Sequence, residues 1–297
     1  MDRFEAELHA IALRSSSEFR VLRKLARRMI YDRPLPSKIK TGLIVDVETT
    51  GLNPNTDEII EIGMVRFAYT PGGTVLGLLA DFSGFREPSR PIPHEISRMT
   101  GITNKMVAGR RIRDDQIRSF VASADIVIAH NAGFDRRFCE RLCPVFVTKP
   151  WACSQTQIPW SAEGVEGTKL FYIGVQQGFW FEGHRALDDC YALLEILERP
   201  LLVSGQGTLQ KLLEVAREPT LRIWALGAPF EVKDRLKARG YRWNVGEDGQ
   251  PRAWHRDVPG DQVEAELKFL DGLGFPDLIE PLVIEMDALI RFSDRRM

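Results

Sequence analysis

The sequence predicts an α/β fold: a mixed sheet flanked by helices over residues 41–203, preceded by a helical segment, 1–40, and followed by a small α+β unit with a helical tail, 204–297. Two observations carry this. The strand-like runs TGLIVDVETTGL and EIIEIGMVRFAY follow one another across the turn-rich link NPNTD, which is hairpin order. Strand-like and helix-like stretches then alternate, which is the order of a sheet covered by helices.

Taken in order, Phe4 to Tyr31 repeats apolar residues at helical spacing, so one or two helices are expected. Arg20, Arg23, Lys24, Arg27 and Arg28 crowd the second half, as a solvated face, a guide for phosphates or a docking helix; Pro34 and Pro36 end the pattern. After the two strands of the hairpin, VLGLLADFSGF supplies a third. Asp125 to Ala129 reads as a buried strand, with a helix starting near Asn131. In HRALDDCYALLEILER, the positions Ala186, Leu187, Cys190, Leu193, Leu194 and Leu197 give a helix with a wide apolar face. Small residues in VSGQGT mark the boundary with the last unit, which reads strand, helix, strand, a turn at Glu247 to Gln250, and strand. The tail from Asp261 to Met297 is expected to be helical.

With 44% hydrophobic and 27% charged residues, the chain reads as an ordinary soluble globular protein. A formal net charge of -1 gives no global attraction to polyanions, so binding of that kind must come from local basic patches. No apolar run approaches the roughly 18 residues of a membrane span, and no signal peptide is evident; a cytoplasmic protein without membrane contact is expected. Cys139, Cys143 and Cys153 lack a fourth zinc ligand, and with Cys190 they read as buried thiols.

The chemistry is concentrated in DVETTGL. Asp46 and Glu48 are two apart in a strand and therefore share a face. An unpaired ionised carboxylate is expensive to bury, and two repel unless a proton or a metal ion lies between them. Asp135, opening a helix in AHNAGFD, and Asp188 and Asp189, one turn into the helix after His184, complete an all-oxygen set of the kind magnesium or manganese prefers. His94 follows Pro91 and Pro93, which make it a loop residue, and a structural role is expected for it rather than catalysis. In the last unit Trp224, Tyr241, Trp243 and Trp254 interleave with Arg222, Lys233, Arg235, Lys237, Arg239, Arg242, Arg252 and Arg256. That pattern serves either a single-strand platform or a small aromatic core.

DVETTGL, EIIEIG, PIPHEISRMTGITNKMV, IVIAHNAGFDRRF and HRALDDCYALL occur in the order and rough spacing of the DnaQ-like 3'-5' exonucleases of the DEDD superfamily, in the branch where a histidine assists the chemistry. This family includes the epsilon subunit of DNA polymerase III, exonuclease X and ribonuclease T. The resemblance covers about residues 40–200. It implies a ribonuclease-H-like fold and release of nucleoside 5'-monophosphates from a 3' end. Carried over residue by residue, it implies two divalent cations, Mg2+ or Mn2+, held by Asp46, Glu48, Asp135 and Asp189, with His184 as general base and Asp188 left outside the set. A base that must be neutral to accept a proton implies activity falling in mild acid. Thr49, Thr50, Gly51 and Leu52 would meet the terminal nucleotide, with Ile102, Asn131 and Phe134 shaping the pocket; the alternative for Leu52, Ile102 and Phe134 is plain core. Single-stranded DNA is the expected substrate, RNA the alternative, and a DNA polymerase or repair complex the expected partner if one exists. A polymerase-associated subunit with a binding role and weak or no nuclease activity is the rival reading.

Overall fold

Along Lys40–Thr49, Leu43, Val45 and Val47 point to one side and Ile44, Asp46 and Glu48 to the other, and apolar clusters lie against both. A strand buried on both faces must sit inside a sheet covered by helices. In the computed structural model, which describes residues 2–26, 36–246, 250–274 and 281–294, it does. The strands are β1 (Arg23–Lys24), β2 (Lys40–Thr49), β3 (Ile59–Tyr69), β4 (Val75–Phe85), β5 (Ile126–Ala129), β6 (Trp151–Cys153), β7 (Phe179–Trp180), β8 (Thr220–Ala225), β9 (Arg242–Trp243), β10 (Trp254–Pro259) and β11 (Leu282–Met286).

The central sheet has the order β4-β3-β2-β5-β6. β4, β3 and β2 are antiparallel neighbours, whereas β2, β5 and β6 run parallel. The helix Ala186–Glu198 covers the Ile44 face, where Leu193, Leu194 and Leu197 pack with Phe179 and Trp160. The helices Asp114–Ala122 and Ala132–Leu142 cover the other face through Ile117, Val121 and Phe138. One crossing is unusually close. A Cβ on Gly63 of β3 would lie 2.3 Å from both the Ala186 carbonyl carbon and the Leu187 nitrogen, so only glycine lets that helix start where it does.

The last unit is an antiparallel sheet of order β11-β8-β10-β9, packed on the helices Lys233–Arg239 and Val263–Asp271 around Ile223, Leu236, Tyr241, Trp254, Val258 and Leu270. Trp224 is fully buried, as are most of Tyr241 and Trp254, while Trp243 is 44% exposed; three of the four aromatics are core. After β11 the chain returns to the first unit. Arg136, fully buried, donates to the carbonyls of Ala288, Leu289 and Arg291 and to Glu140, and its guanidinium lies 5.5 Å from the centre of the Trp151 ring. Trp151 N donates to Ala288 O at 2.7 Å, Ser293 Oγ to Glu140, and Arg137 pairs with Asp294. The segment Asp287–Asp294 is therefore a strap across the helix Ala132–Leu142.

Three expectations are corrected. The tail is not all helical: Leu282–Met286 is a strand, because the open edge of β8 offers it a full antiparallel ladder. The first helix, Arg3–Arg14, begins in a capping box between Asp2 and Glu5 and stops at Ser15. Arg23 and Lys24 instead form β1, parallel to β7, so the basic stretch there is not helical; Arg27 and Arg28 lie outside the described residues, as do 247–249 of the expected turn. His94 opens the helix His94–Thr100 behind Pro93 rather than lying in a loop. All four cysteines are buried and free, and no helix among the described residues is long and apolar enough to cross a membrane.

Candidate metal and catalytic site

The site forms at the carboxyl ends of the two parallel central strands, β2 and β5, where an α/β sheet opens a crevice. β2 alternation sends Asp46 and Glu48 toward the helix Ala186–Glu198, whose first turn carries Asp189. Oxygens of these three carboxylates lie within 4.8 Å of one another. Asp135 arrives from the other face, in the first turn of the helix after β5, and its Oδ1 accepts from Val47 N at 3.1 Å. It is 2% exposed. Cys153 Sγ accepts from Ala132 N beneath that turn.

Burial, and next the carboxylates of Asp135, Asp189 and Glu48, hold the Asp46 carboxyl well above the usual range. Burial, with Asp189 and Glu61 beside it, pushes Glu48 up to about 8. Burial also raises Asp135 to about 8 and Asp189 to about 7, against the hydrogen bonds each accepts from backbone. Four acidic groups thus crowd one place and resist shared ionisation, which is the electrostatic signature of a site that wants positive charge. All the donors are carboxylate oxygens, a set that suits a hard divalent cation.

Arg185, whose positive charge acts on Glu48, is already committed. Glu61, opposite Glu48 in the β2–β3 ladder and fully buried, takes a fork from Arg185 Nε and Nη2 at 3.1 and 3.0 Å, and accepts from Ala186 N. Arg185 N in turn donates to Asp189 Oδ2 at 3.1 Å. The pair therefore ties the start of the helix to the sheet and orients Asp189. His184, immediately before it, is exposed and has a left-handed backbone, φ 66°. Asp188 lines a separate cleft with Lys24, Glu182 and Tyr191.

The other expected residues divide. Thr49 ends β2 and Thr50 and Gly51 bend away after it: Thr49 Oγ1 donates to Gly51 O, Thr50 N donates to Glu58 O at 2.9 Å, and Asp57 braces the loop through Thr50 Oγ1 and Asn53 N. Leu52 is 82% exposed, which excludes the core alternative for it. Asn131, at φ 81°, is exposed just before the Asp135 helix. Phe134 is partly buried, 4.9 Å from Phe138 between ring centres. Ile102 is fully buried with Ile60, Ile92 and Val107, so it belongs to a small core cluster and presents no surface to a ligand in this structure.

His130, not singled out from the sequence, bridges Ser154 Oγ and Thr168 O at 2.9 and 2.7 Å; burial brings its pKa down to about 4, keeping the ring neutral. Glu61 and Gly63 were also missed. The signal for both stood in EIIEIG, a carboxylate and a glycine inside an apolar strand.

Comparison with known proteins gives a family. The exonuclease family profile (RNase_T) matches residues 43–197. The chain is 30% identical over 183 residues to a PolC-type DNA polymerase III from Thermotoga maritima, covering 60% of this chain and 13% of that protein. It is 30% identical over 162 residues to DNA polymerase III subunit epsilon from Treponema pallidum, covering 51% of this chain and 72% of that one. Among solved structures, exonuclease X in complex with 5' overhanging duplex DNA aligns with a TM-score of 0.43 at 23% identity, over 59% of this chain and 98% of that chain. The match to the PolC-type relative thus spans a small part of a much longer protein.

Proposed function

Since the chain belongs to the exonuclease family, of the DnaQ-like DEDD type, and is a nuclease, we propose that it removes nucleotides from the 3' end of single-stranded DNA, releasing nucleoside 5'-monophosphates. The observation that carries the reading is the approach of Asp46, Glu48 and Asp189 oxygens to within 4.8 Å, from a strand and a helix far apart in sequence.

In this reading Asp46, Glu48, Asp135 and Asp189 hold two divalent ions, magnesium or manganese. Such ions supply Lewis acidity toward the phosphate and lower the pKa of the attacking water. The protein's own part is positioning. Val47 N and Arg185 N fix one oxygen each of Asp135 and Asp189, so the carboxylates are aimed before anything binds. His184, exposed at the rim, takes the proton from the attacking water. The backbone of Thr50 and Gly51 and the exposed side chain of Leu52 receive the terminal nucleotide, where stacking on an apolar group tolerates every base. Both relatives above are polymerase polypeptides, and this favours a second reading in which the same chemistry serves a DNA polymerase as partner.

The test is digestion of single-stranded DNA and RNA labelled at the 5' end, with Mg2+, Mn2+ or chelator. A ladder shortening from the 3' end, dependent on metal and lost in Asp46→Ala, is expected, faster on DNA. No ladder under any of these conditions would overturn the reading, and a ladder obtained only after adding a polymerase would move it to the second.

A further inference from the structure

Beyond the metal carboxylates, across the loop from Thr50 to Glu58, a cleft of about 580 Å³ is walled by Arg86, Arg110, Arg111 and Arg141. Four guanidiniums in one cleft stand out in a chain whose formal net charge is -1. The carboxylates of the same wall are largely occupied with building it. Glu58 pairs with Arg86 at 3.4 Å and accepts from Ser89 N and Oγ; Glu87 accepts from Gly109 N at 2.9 Å. Asp114 is the remaining acid, at the start of the helix Asp114–Ala122. Among the described residues no carboxylate lies within ion-pair distance of Arg110, Arg111 or Arg141, and Arg141 donates only to the neutral amide oxygen of Asn55.

The cleft is mechanically joined to the metal strand. Thr50 N donates to Glu58 O and Glu58 N donates to Thr50 Oγ1, both at 2.9 Å, so one residue of the cleft wall is bonded to the residue following β2. Arg141 holds Asn55 of the same loop. Guanidiniums suit phosphate oxygens because they present paired donors and keep their charge.

We propose that this cleft binds backbone phosphates of the polynucleotide whose 3' end lies at the carboxylates, as a second grip some distance from the scissile bond. The inference rests on the exonuclease reading for its substrate, and its test separates the two. Arg110, Arg111 and Arg141 are replaced together by serine, and in a second protein together by lysine, in the full chain. Binding of labelled dT20 is measured by anisotropy over a range of KCl in the presence of Ca2+. Hydrolysis of the p-nitrophenyl ester of thymidine 5'-monophosphate is measured with Mn2+, because that ester carries only the phosphate that is cleaved and none for the cleft to hold.

With three phosphate contacts removed, the slope of log Kd against log salt should flatten by about 2, at roughly 0.7 per contact on a single strand. The dT20 Kd should rise at least tenfold at low salt in the serine protein, and the lysine protein should keep most of the slope. The ester should lose no more than twofold in kcat/KM in either. An unchanged slope in the serine protein would overturn the proposal, and so would equal losses on ester and dT20 in both proteins, which would make the cleft structural. If the unsubstituted protein does not hydrolyse the ester, the exonuclease reading is what fails, and the anisotropy slope alone decides the cleft.

Discussion

Replacing Arg136 with methionine tests the strap. The arginine is fully buried, and its donors reach the carbonyls of Ala288 and Arg291 at 3.2 and 2.7 Å, the carbonyl of Leu289, and Glu140 Oε1 at 2.7 Å. Methionine keeps contact with the Trp151 ring but leaves three carbonyls without that donor and the nearly buried Glu140 without its cation. Ser293 Oγ still donates to Glu140, which limits the damage. Breaking a buried charged pair by removing one member costs about 3–5 kcal/mol, and the stranded carbonyls keep the figure at that level. For a chain of this size, that is a fall in Tm of about 10 °C. Urea denaturation and calorimetry would read it. Asp135 is the preceding residue, so Mn2+ affinity measured by calorimetry should weaken as well. A loss below about 1 kcal/mol with unchanged Mn2+ binding would refute the claim that the strap supports the metal helix.

Gly63→Ala places a methyl 2.3 Å from helix backbone, so the first turn of Ala186–Glu198 must move; we expect at least tenfold lower exonuclease turnover and a lower Tm, read on the same preparation. The raised carboxyls predict a pH effect of definite sign. In metal-free protein the folded state holds protons on Glu48 and Asp135, at about 8, and Asp189, at about 7, that the unfolded chain has released by pH 5, so stability declines as pH rises from about 5 to 8. Asp46→Asn replaces an acid that must take up a proton to be buried, and should raise the Tm of metal-free protein at pH 8 while abolishing the Tm gain from Mn2+; a lower metal-free Tm would contradict the electrostatic account. Adding Mg2+ to the unsubstituted protein near pH 7 should release protons, measurable as buffer-dependent heat.

The central sheet was legible because β2 and β3 are long apolar runs joined by a turn-rich link, and the carboxylates were legible because charge inside such a run has to be explained. The same reasoning applied to EIIEIG would have exposed Glu61, whose partner Arg185 stands next to His184. What stayed hidden depends on distant parts of the chain. β1 has two residues and owes its form to β7, while β11 is a short apolar run that periodicity does not distinguish from a helical turn. Arg136 and Glu140, four apart on a helix, look like an exposed pair until residues 288–291 cover them. Ile102 sat in a family-like motif, but its neighbours Ile60, Ile92 and Val107 converge on it from other elements, and burial decides its role.

The strap also imposes an order in time. Arg136 finds its last carbonyl acceptor at Arg291, 155 residues later, and at about 5–20 residues per second a ribosome takes roughly 8 to 30 s to make that stretch. During that interval the arginine is made but its acceptors are not, so burying it would strand its charge, and the helix that carries Asp135 has no clamp. The nascent chain can form the β2–β3–β4 meander early, since those strands are consecutive, yet the helix carrying Asp135 gains its clamp only when residues 287–294 have been made and folded back. The carboxylate helix is in this way braced by a part of the chain made long after Asp135 itself.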